Sequence, residues 1–312
     1  MPRGLVDQTL LGYYLFRLAG ATLPHIPDRV AYRLATLIGD LYYWLLPGQW
    51  AGVASNISHV LDKPPQSPAV RKVARHVCRH LAHNFYDMFR VPRLTNRQIA
   101  EAVEVEGWEH VEAARAEGRG VVFTAPHFGN VDMLMQVVAV RGLPVTIPAE
   151  HLQPERLFEY VCSLRASHGM VRLVPADGLL LGLFRALRRN EAVALAADRS
   201  VTGSGRWVSF FGGPARLPDS AVRLALRTGA GLMVGFGYRR PAGRFLLRVV
   251  RVPLKRTGQR EVNLDRGMET VVAFLEEHIR ADPEQWILTT PLWDQCWTAH
   301  RSDDEDCPDL SL

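Results

Sequence analysis

Lysine, cysteine and long apolar runs are all scarce in this 312-residue sequence. Three lysines stand against 34 arginines. The four cysteines are scattered and form no CxxC pair, which gives no support to a zinc ribbon or a disulfide framework and favours a reducing, cytosolic setting. The first residues do not resemble a secretory signal peptide.

No apolar run reaches the roughly 20 mostly apolar residues that a membrane span needs. The two most apolar stretches, 10–23 and 34–46, are interrupted by Arg17 and Asp40. Aromatic residues accompany both stretches, among them Trp44. Aromatic and basic residues beside apolar helices are typical of segments that lie in the headgroup layer. We therefore expect interfacial membrane attachment, with an ordinary helical pair packed on the core as the alternative.

Positive charge dominates the chain except at its C-terminal end. The net charge is +5, and the last twelve residues hold five carboxylates against one arginine, which leaves +9 for residues 1–300. Arginine binds phosphate and carboxylate through paired N–H groups, which favours anionic partners, although a GC-rich genome explains the arginine preference equally well. The arginines are spread along both halves without aromatic interleaving, so we expect no nucleic acid partner.

Three regions of the chain differ in pattern. Residues 1–100 repeat apolar residues at helical spacing between prolines and predict a helical, membrane-associating region. Residues 101–298 alternate short buried strands with helices, among them the predicted helices 131–140 and 266–279. This alternation predicts an α/β core, a largely parallel sheet flanked by helices, with a hairpin formed by 232–238 and 244–252. Residues 299–312 predict an acidic, disordered tail.

One helical face within residues 69–89 carries His76, His80, His83 and Asp87. That spacing is also found in helical metal sites, but the sequence has no HExxH motif, and neighbouring arginines would repel a cation. We therefore interpret this segment as a structural or solvated basic helix and predict no metal.

The segment 125–132, Ala-Pro-His-Phe-Gly-Asn-Val-Asp, follows a buried strand and precedes a helix. Open α/β sheets bind ligands at the carboxyl ends of their strands. Gly129 permits a tight turn and Asn130 is a good helix N-cap. The turn can fold His127 back against Asp132, whose carboxylate would hold one imidazole nitrogen and leave the other as a general base. Such a base would activate an acceptor hydroxyl to attack an acyl carbonyl; a capped turn with an incidental histidine is the alternative.

The same segment resembles the HxxxxD motif of the bacterial lipid A biosynthesis acyltransferase family, which includes phosphatidylinositol mannoside acyltransferases. Further blocks are similar to family segments: 197–200 (Ala-Asp-Arg-Ser), 210–218 (Phe-Phe-Gly-Gly-Pro-Ala-Arg-Leu-Pro), 223–230 (Arg-Leu-Ala-Leu-Arg-Thr-Gly-Ala) and 283–286 (Pro-Glu-Gln-Trp). The resemblance extends over residues 10–295. After Trp286 the sequence departs from the family's aromatic and basic run, which puts an acceptor contact there in doubt.

The resemblance implies a membrane-associated O-acyltransferase at the cytoplasmic face of the inner or plasma membrane. It implies transfer of a fatty acyl chain to a hydroxyl of a glycolipid acceptor, either a phosphatidylinositol mannoside or a lipid A precursor. The donor substrate would be acyl-CoA or acyl carrier protein, and no cofactor is implied. His127 would be the base and Asp132 its orienting carboxylate. Substrate-binding roles are implied for Arg165, Asp198, Arg199, Phe210 and Phe211. An ion pair at a strand end is the alternative for Asp198 and Arg199, and core packing is the alternative for the two phenylalanines.

Other chemistries leave little trace in the sequence, which has no GxSxG motif, Walker loop or complete GxGxxG before a helix. Three alternatives stay open: a lysophospholipid acyltransferase, a phosphoesterase or acyl thioester hydrolase that uses His127 and Asp132 on water, and a basic peripheral membrane-binding protein without enzymatic activity. Only the last would keep its function after the substitution His127→Ala.

Overall fold

The computed structural model describes residues 10–175, 180–200 and 205–293. Its helices are α1 (Leu10–Thr22), α2 (Asp28–Leu45), α3 (Ala51–Leu61), α4 (Pro68–Arg90), α5 (Asn96–Ala102), α6 (Trp108–Ala116), α7 (Val131–Val140), α8 (Glu155–Arg165), α9 (Leu180–Arg188), α10 (Ser220–Thr228) and α11 (Arg260–Ala281). Its strands are β1 (Val103–Glu106), β2 (Val121–Ala125), β3 (Val145–Ala149), β4 (Val171–Pro175), β5 (Ala192–Ala196), β6 (Arg206–Phe210), β7 (Gly213–Leu217), β8 (Gly231–Arg240) and β9 (Arg244–Val252).

Seven of the described strands form one sheet in the order β1-β9-β8-β2-β5-β3-β4. Neighbours in this sheet run parallel, except for the β8–β9 hairpin, which is antiparallel. The predicted α/β fold with a largely parallel sheet flanked by helices is therefore confirmed, as is the hairpin. The predicted acidic tail lies outside the described residues.

The central strands β2 and β5 are almost wholly apolar, with Thr124 as the one polar residue among them. Val121 and Val122 of β2 and Ala192 and Val193 of β5 are all fully buried. The sequence of a parallel strand that is covered by helices on both faces is continuously apolar and does not alternate with polar residues. These strands form the buried centre of the sheet, from which the connecting loops extend.

The N-terminal helices pack against each other and against this centre. The buried residues of α2 recur every fourth position, at Ala31, Ala35, Gly39 and Tyr43. A Cβ at Gly39 would lie 2.6 Å from the Cα of Arg79, so α2 crosses α4 very closely. Within the described residues, no helix combines the length and the apolar character needed to cross a membrane.

The structure adds one hairpin that the sequence did not predict. Strands β6 and β7 pair in antiparallel fashion and are joined by Phe211 and Gly212, with φ of 48° and 76°. Two central residues with positive φ make the type of two-residue turn that matches strand twist. A second difference is that α11 begins at Arg260, whereas the sequence predicted a start at residue 266.

The histidines of α4 bind residues of neighbouring segments. His76 Nδ1 lies 2.7 Å from Glu284 Oε2, and His83 Nε2 lies 2.9 Å from the Thr36 hydroxyl. Within the described residues no group of His, Cys, Asp or Glu side chains has the arrangement of a metal site. These contacts connect α4 with α2 and with the segment after α11.

Candidate active site

His127 and Asp198 meet because they follow neighbouring parallel strands. Ala125 at the end of β2 is in register with Ala196 at the end of β5. His127 and Asp198 each lie two positions beyond that pair, at the carboxyl edge of the sheet. This edge is where parallel α/β sheets place their ligands.

The two side chains form a close pair. His127 Nδ1 lies 2.7 Å from Asp198 Oδ1, and the His127 backbone N–H donates to Asp198 Oδ2 at 2.9 Å. The indole N–H of Trp286 donates to the same Oδ2 at 2.8 Å. Asp198 is fully buried, whereas 43% of the His127 side chain is exposed. Asp198 is thus fixed from several sides, and Nε2 of the imidazole is the ring nitrogen left for a substrate.

The electrostatics of the pair favour a charged imidazole. Burial disfavours the imidazolium, but the charge of Asp198 and its hydrogen bond outweigh burial and raise the pKa of His127 above its usual value. Burial also disfavours the carboxylate, but His127 and the bond from Trp286 outweigh it and lower the pKa of Asp198. Asp198 therefore stays ionised and stabilises a proton taken up by His127.

The prediction that Asp132 holds the imidazole is not what the structure shows. Asp132 Oδ1 lies 2.7 Å from Nε of Arg165, and the Nδ1 of His127 is bound to Asp198 instead. Asp132 lies in the first turn of α7, so its side chain extends from the helix toward the end of α8. The partner of His127 comes from the neighbouring strand because β5 lies directly beside β2.

The turn after His127 is held by main-chain bonds. The Gly129 N–H donates to the Gln285 carbonyl at 2.7 Å, and the Asn130 N–H donates to the Gly237 carbonyl at 2.9 Å. Gly129 has φ of 60°, and a Cβ there would overlap the Gly237 carbonyl oxygen. Asn130 caps α7 as predicted, since its side chain accepts from the Met133 N–H at 2.9 Å. This turn fixes the position of His127 relative to the sheet.

A buried polar network supports that turn from α4 and β8, and sequence reasoning missed it. Asn84 donates to the Gly129 carbonyl at 2.6 Å, and the fully buried Asp87 accepts from Asn130 at 2.8 Å. Arg239 is paired with Asp87 and donates to Asn84 Oδ1 at 2.7 Å. The histidine-bearing face of α4 was the available signal, because Asp87 belongs to it.

The other predicted substrate residues lie in different surroundings. Arg199 pairs with Glu150, its NH1 lying 3.0 Å from Glu150 Oε2, so Asp198 and Arg199 do not form an ion pair with each other.

Phe210 is fully buried and stacks on Trp293 with ring centroids 5.8 Å apart, as expected of a core residue. Phe211 borders a surface cavity of about 270 Å³ together with residues of the α3 end. Whether either phenylalanine contacts an acyl chain stays a prediction.

The whole site lies within a range that matches a known family. The model of the bacterial lipid A biosynthesis acyltransferase family matches residues 6–295. The chain belongs to this family. The range shared with the lipid A acyltransferases includes the His127 turn, Asp198 and Trp286, so the resemblance seen in the sequence is confirmed.

Two curated relatives are phosphatidylinositol mannoside acyltransferases. The chain is 36% identical to that of Mycobacterium tuberculosis over 153 residues, which are 47% of this chain and 48% of the relative. It is 32% identical to that of Mycolicibacterium smegmatis over 181 residues, 57% of this chain and 59% of the relative. The matched stretches thus span about half the length of these two relatives.

Proposed function

We propose that the protein is a membrane-associated O-acyltransferase that transfers a fatty acyl chain from a thioester donor, acyl-CoA or acyl carrier protein, to a hydroxyl of a glycolipid. The observation that carries this proposal is the His127–Asp198 pair at the carboxyl edge of the sheet, with the imidazole partly exposed. Membership of an acyltransferase family supports the same reaction class.

His127 performs the proton transfers of this reaction. Its Nε2 takes the proton of the acceptor hydroxyl while that oxygen bonds to the thioester carbonyl carbon. The tetrahedral intermediate then collapses, the carbon–sulfur bond breaks, and the leaving thiolate takes the proton from Nε2. The products are the acylated glycolipid and the free thiol of the donor, and no acyl-enzyme forms. Asp198 stabilises the imidazolium between the two proton transfers.

The acceptor is proposed to be a mannosylated phosphatidylinositol rather than a lipid A precursor. The support is the name of the curated relatives, which are phosphatidylinositol mannoside acyltransferases at 32–36% identity. No enzyme-bound cofactor is part of the proposal, because the imidazole and its carboxylate supply the acid–base chemistry that acyl transfer needs.

We propose that the surface formed by the exposed apolar residues of α1 and α2 lies in the membrane interface on the cytoplasmic side. On α2 these residues recur at helical spacing along one face. They are Val30, Leu34, Leu37, Ile38, Leu41, Trp44 and Leu45, and α1 adds Leu10, Leu11, Tyr14, Leu15 and Leu18. An exposed apolar patch of this extent marks an interaction surface, and helices with one such face lie flat in the headgroup layer.

The decisive experiment incubates the purified protein with labelled palmitoyl-CoA and total membrane lipids and identifies the labelled product. Wild type should give a labelled glycolipid, His127→Ala should lose nearly all turnover, and replacement of the exposed His110 by alanine should change nothing. Release of free palmitate without any labelled lipid would instead identify a thioester hydrolase. An acyl-enzyme trapped by mass spectrometry would contradict direct transfer.

Membrane attachment is tested with vesicles of anionic phospholipid. Replacing Leu37 and Leu45 by serine should release the protein from sedimenting vesicles, since these side chains are 54% and 70% exposed and do not support the core. Val262→Ser on α11 is the matched control, because Val262 is exposed outside this surface. Equal vesicle binding by the double variant and wild type would reject the α1–α2 surface as the attachment site.

A further inference from the structure

Asp132 and Arg165 form a pair beside the candidate catalytic histidine. Nε of Arg165 lies 2.7 Å from Asp132 Oδ1, and NH2 lies 3.4 Å from Oδ2. The Asp132 side chain is 14% exposed and that of Arg165 is 35% exposed. Both Nε and Oδ1 are buried, and their contact is a close ion pair without hydrogen-bond geometry. The exposed third of the arginine side chain therefore lies away from Asp132.

α7 holds the main chain of Arg165 as well as its side chain. Gln136, one helical turn after Asp132, is fully buried and donates from Nε2 to the Arg165 carbonyl oxygen. Residues four apart share one face of a helix, so Asp132 and Gln136 approach the end of α8 together. The contact thus sets both the position of the last residue of α8 and the direction of its guanidinium.

A second arginine lies near the same histidine. Arg199 directly follows Asp198 and is held by Glu150, whose side chain is 47% exposed. Burial, Arg199 and Arg165 act to lower the pKa of His127, and Asp198 outweighs them and raises it, so both guanidinium charges act on the imidazole. An exposed ion pair such as Arg199–Glu150 contributes little to stability and opens readily for a ligand.

We propose that Asp132 is a positioning residue for Arg165, and that the guanidinium so held binds a phosphate group of the substrate beside His127. The outer N–H groups of a fixed guanidinium match two phosphate oxygens at once. Phosphate is present in both candidate substrates, in the pantetheine arm of a thioester donor and in the headgroup of a phosphatidylinositol-type acceptor. The inference rests on the proposed function for the identity of these substrates.

Equilibrium binding tests this assignment without requiring turnover. CoA and vesicles of phosphatidylcholine with and without phosphatidylinositol are titrated onto wild type, Asp132→Asn, Arg165→Gln and the double variant. Arg165→Gln should weaken binding of one probe by about tenfold, the size expected for a lost charge-assisted bond. Asp132→Asn should weaken the same probe less, because it also removes a negative charge that repels phosphate. The probe that loses affinity identifies the substrate whose phosphate is bound.

The double variant decides whether Asp132 acts through Arg165. It should bind as weakly as Arg165→Gln alone, since the effect of Asp132 disappears once its partner is gone. Glu191→Gln is the matched control: Glu191 is also bound by arginines and has a 12% exposed side chain, but it precedes β5 at the opposite edge of the sheet. Its binding should equal that of wild type. If Arg165→Gln unfolds, Arg165→Lys takes its place in the test. It keeps the positive charge but should also bind the probe more weakly than wild type does.

Several outcomes would overturn the proposal. Independent losses that multiply in the double variant would separate Asp132 from Arg165. Unchanged binding of both probes by the Arg165 variants would remove the phosphate site, and a fall in kcat alone would place Arg165 at the reacting carbonyl. Asp198→Asn is expected to move the acid limb of the pH profile of the transfer rate, because Asp198 binds His127. If Asp132→Asn moves that limb in the same way, Asp132 acts on His127 and not through Arg165. A wild type that binds as described but transfers no acyl chain would reject only the proposed function.

Discussion

The indole N–H of Trp286 donates to Asp198 Oδ2 at 2.8 Å, on the same carboxylate whose Oδ1 binds His127. Trp286 is 1% exposed and belongs to a segment that lies beside the His127 turn, since the Ile287 N–H donates to the His127 carbonyl at 2.7 Å. A tryptophan 88 residues after Asp198 in the chain thus fixes the group that orients the imidazole.

Replacing Trp286 by phenylalanine removes this bond while keeping an aromatic ring. We expect turnover to fall about tenfold and the free energy of unfolding to fall by about 1–3 kcal/mol, because a buried carboxylate loses a donor. Trp293→Phe is the control, since Trp293 is also buried but its indole nitrogen has no hydrogen-bond partner in the described structure. Urea unfolding and the transfer assay check both variants. Equal losses in the two would mean that the bond to Asp198 has no special role.

Asp198→Asn should reduce kcat by at least about 10²-fold, because the amide neither stabilises the imidazolium nor fixes the base. Asp198 raises the pKa of His127. In the proposed mechanism the neutral imidazole is the active form. Removing the carboxylate therefore lowers that pKa, and the acid limb of the rate profile moves to lower pH under a reduced plateau. Rate measurements from pH 5 to 9 check this, and an acid limb that moves to higher pH would contradict it.

Gly129→Ala should disrupt the turn that carries His127. The φ of 60° disfavours a side chain, and the new Cβ would overlap the Gly237 carbonyl oxygen. Gly142→Ala is the matched control, with φ of 78° and no atom within 4 Å of the added Cβ. The control should cost about 1–2 kcal/mol, as expected for left-handed backbone alone, and Gly129→Ala clearly more. Similar melting temperatures for the two variants would refute the importance of the close approach.

His83 should make the protein less stable as pH falls. Burial, followed by the charges of Arg239 and His80, lowers the pKa of His83 to about 4, although Asp87 acts in the opposite direction. The unfolded chain, with a histidine pKa of about 6.5, binds more protons than the folded one between these values. The contribution of the neutral His83 to the free energy of unfolding is therefore fully present above about pH 6.5 and is lost as pH falls toward 4.

His83→Gln should flatten this part of the stability profile, because glutamine keeps a hydrogen-bonding group near Thr36 without taking up a proton. Urea midpoints measured at pH 7, 6 and 5 compare the variant with wild type. His110→Gln, at an exposed position, should follow wild type throughout. A His83 variant that loses stability in parallel with wild type would assign the effect to other groups.

The strand–turn–helix unit around His127 was predictable because its signals are local. The helix predicted over residues 131–140 is observed as Val131–Val140, with the expected cap at Asn130. The β6–β7 hairpin was missed because its turn places Phe211 at a positive φ. Glycine is the residue that usually indicates such a backbone conformation, and phenylalanine does not. The early start of α11 was missed because the amphipathic pattern that predicts this helix begins only at residue 266.

By itself the sequence determined the fold class and the family and predicted His127 as the base, because each depends on residues that are close together in the chain. Only the tertiary structure decided which carboxylate binds that histidine. Asp132 is five residues from His127, yet Asp198, 71 residues away, reaches Nδ1. The physical reason is strand order: β5 lies next to β2, so their carboxyl ends bring Asp198 to His127, while the first turn of α7 carries Asp132 to Arg165.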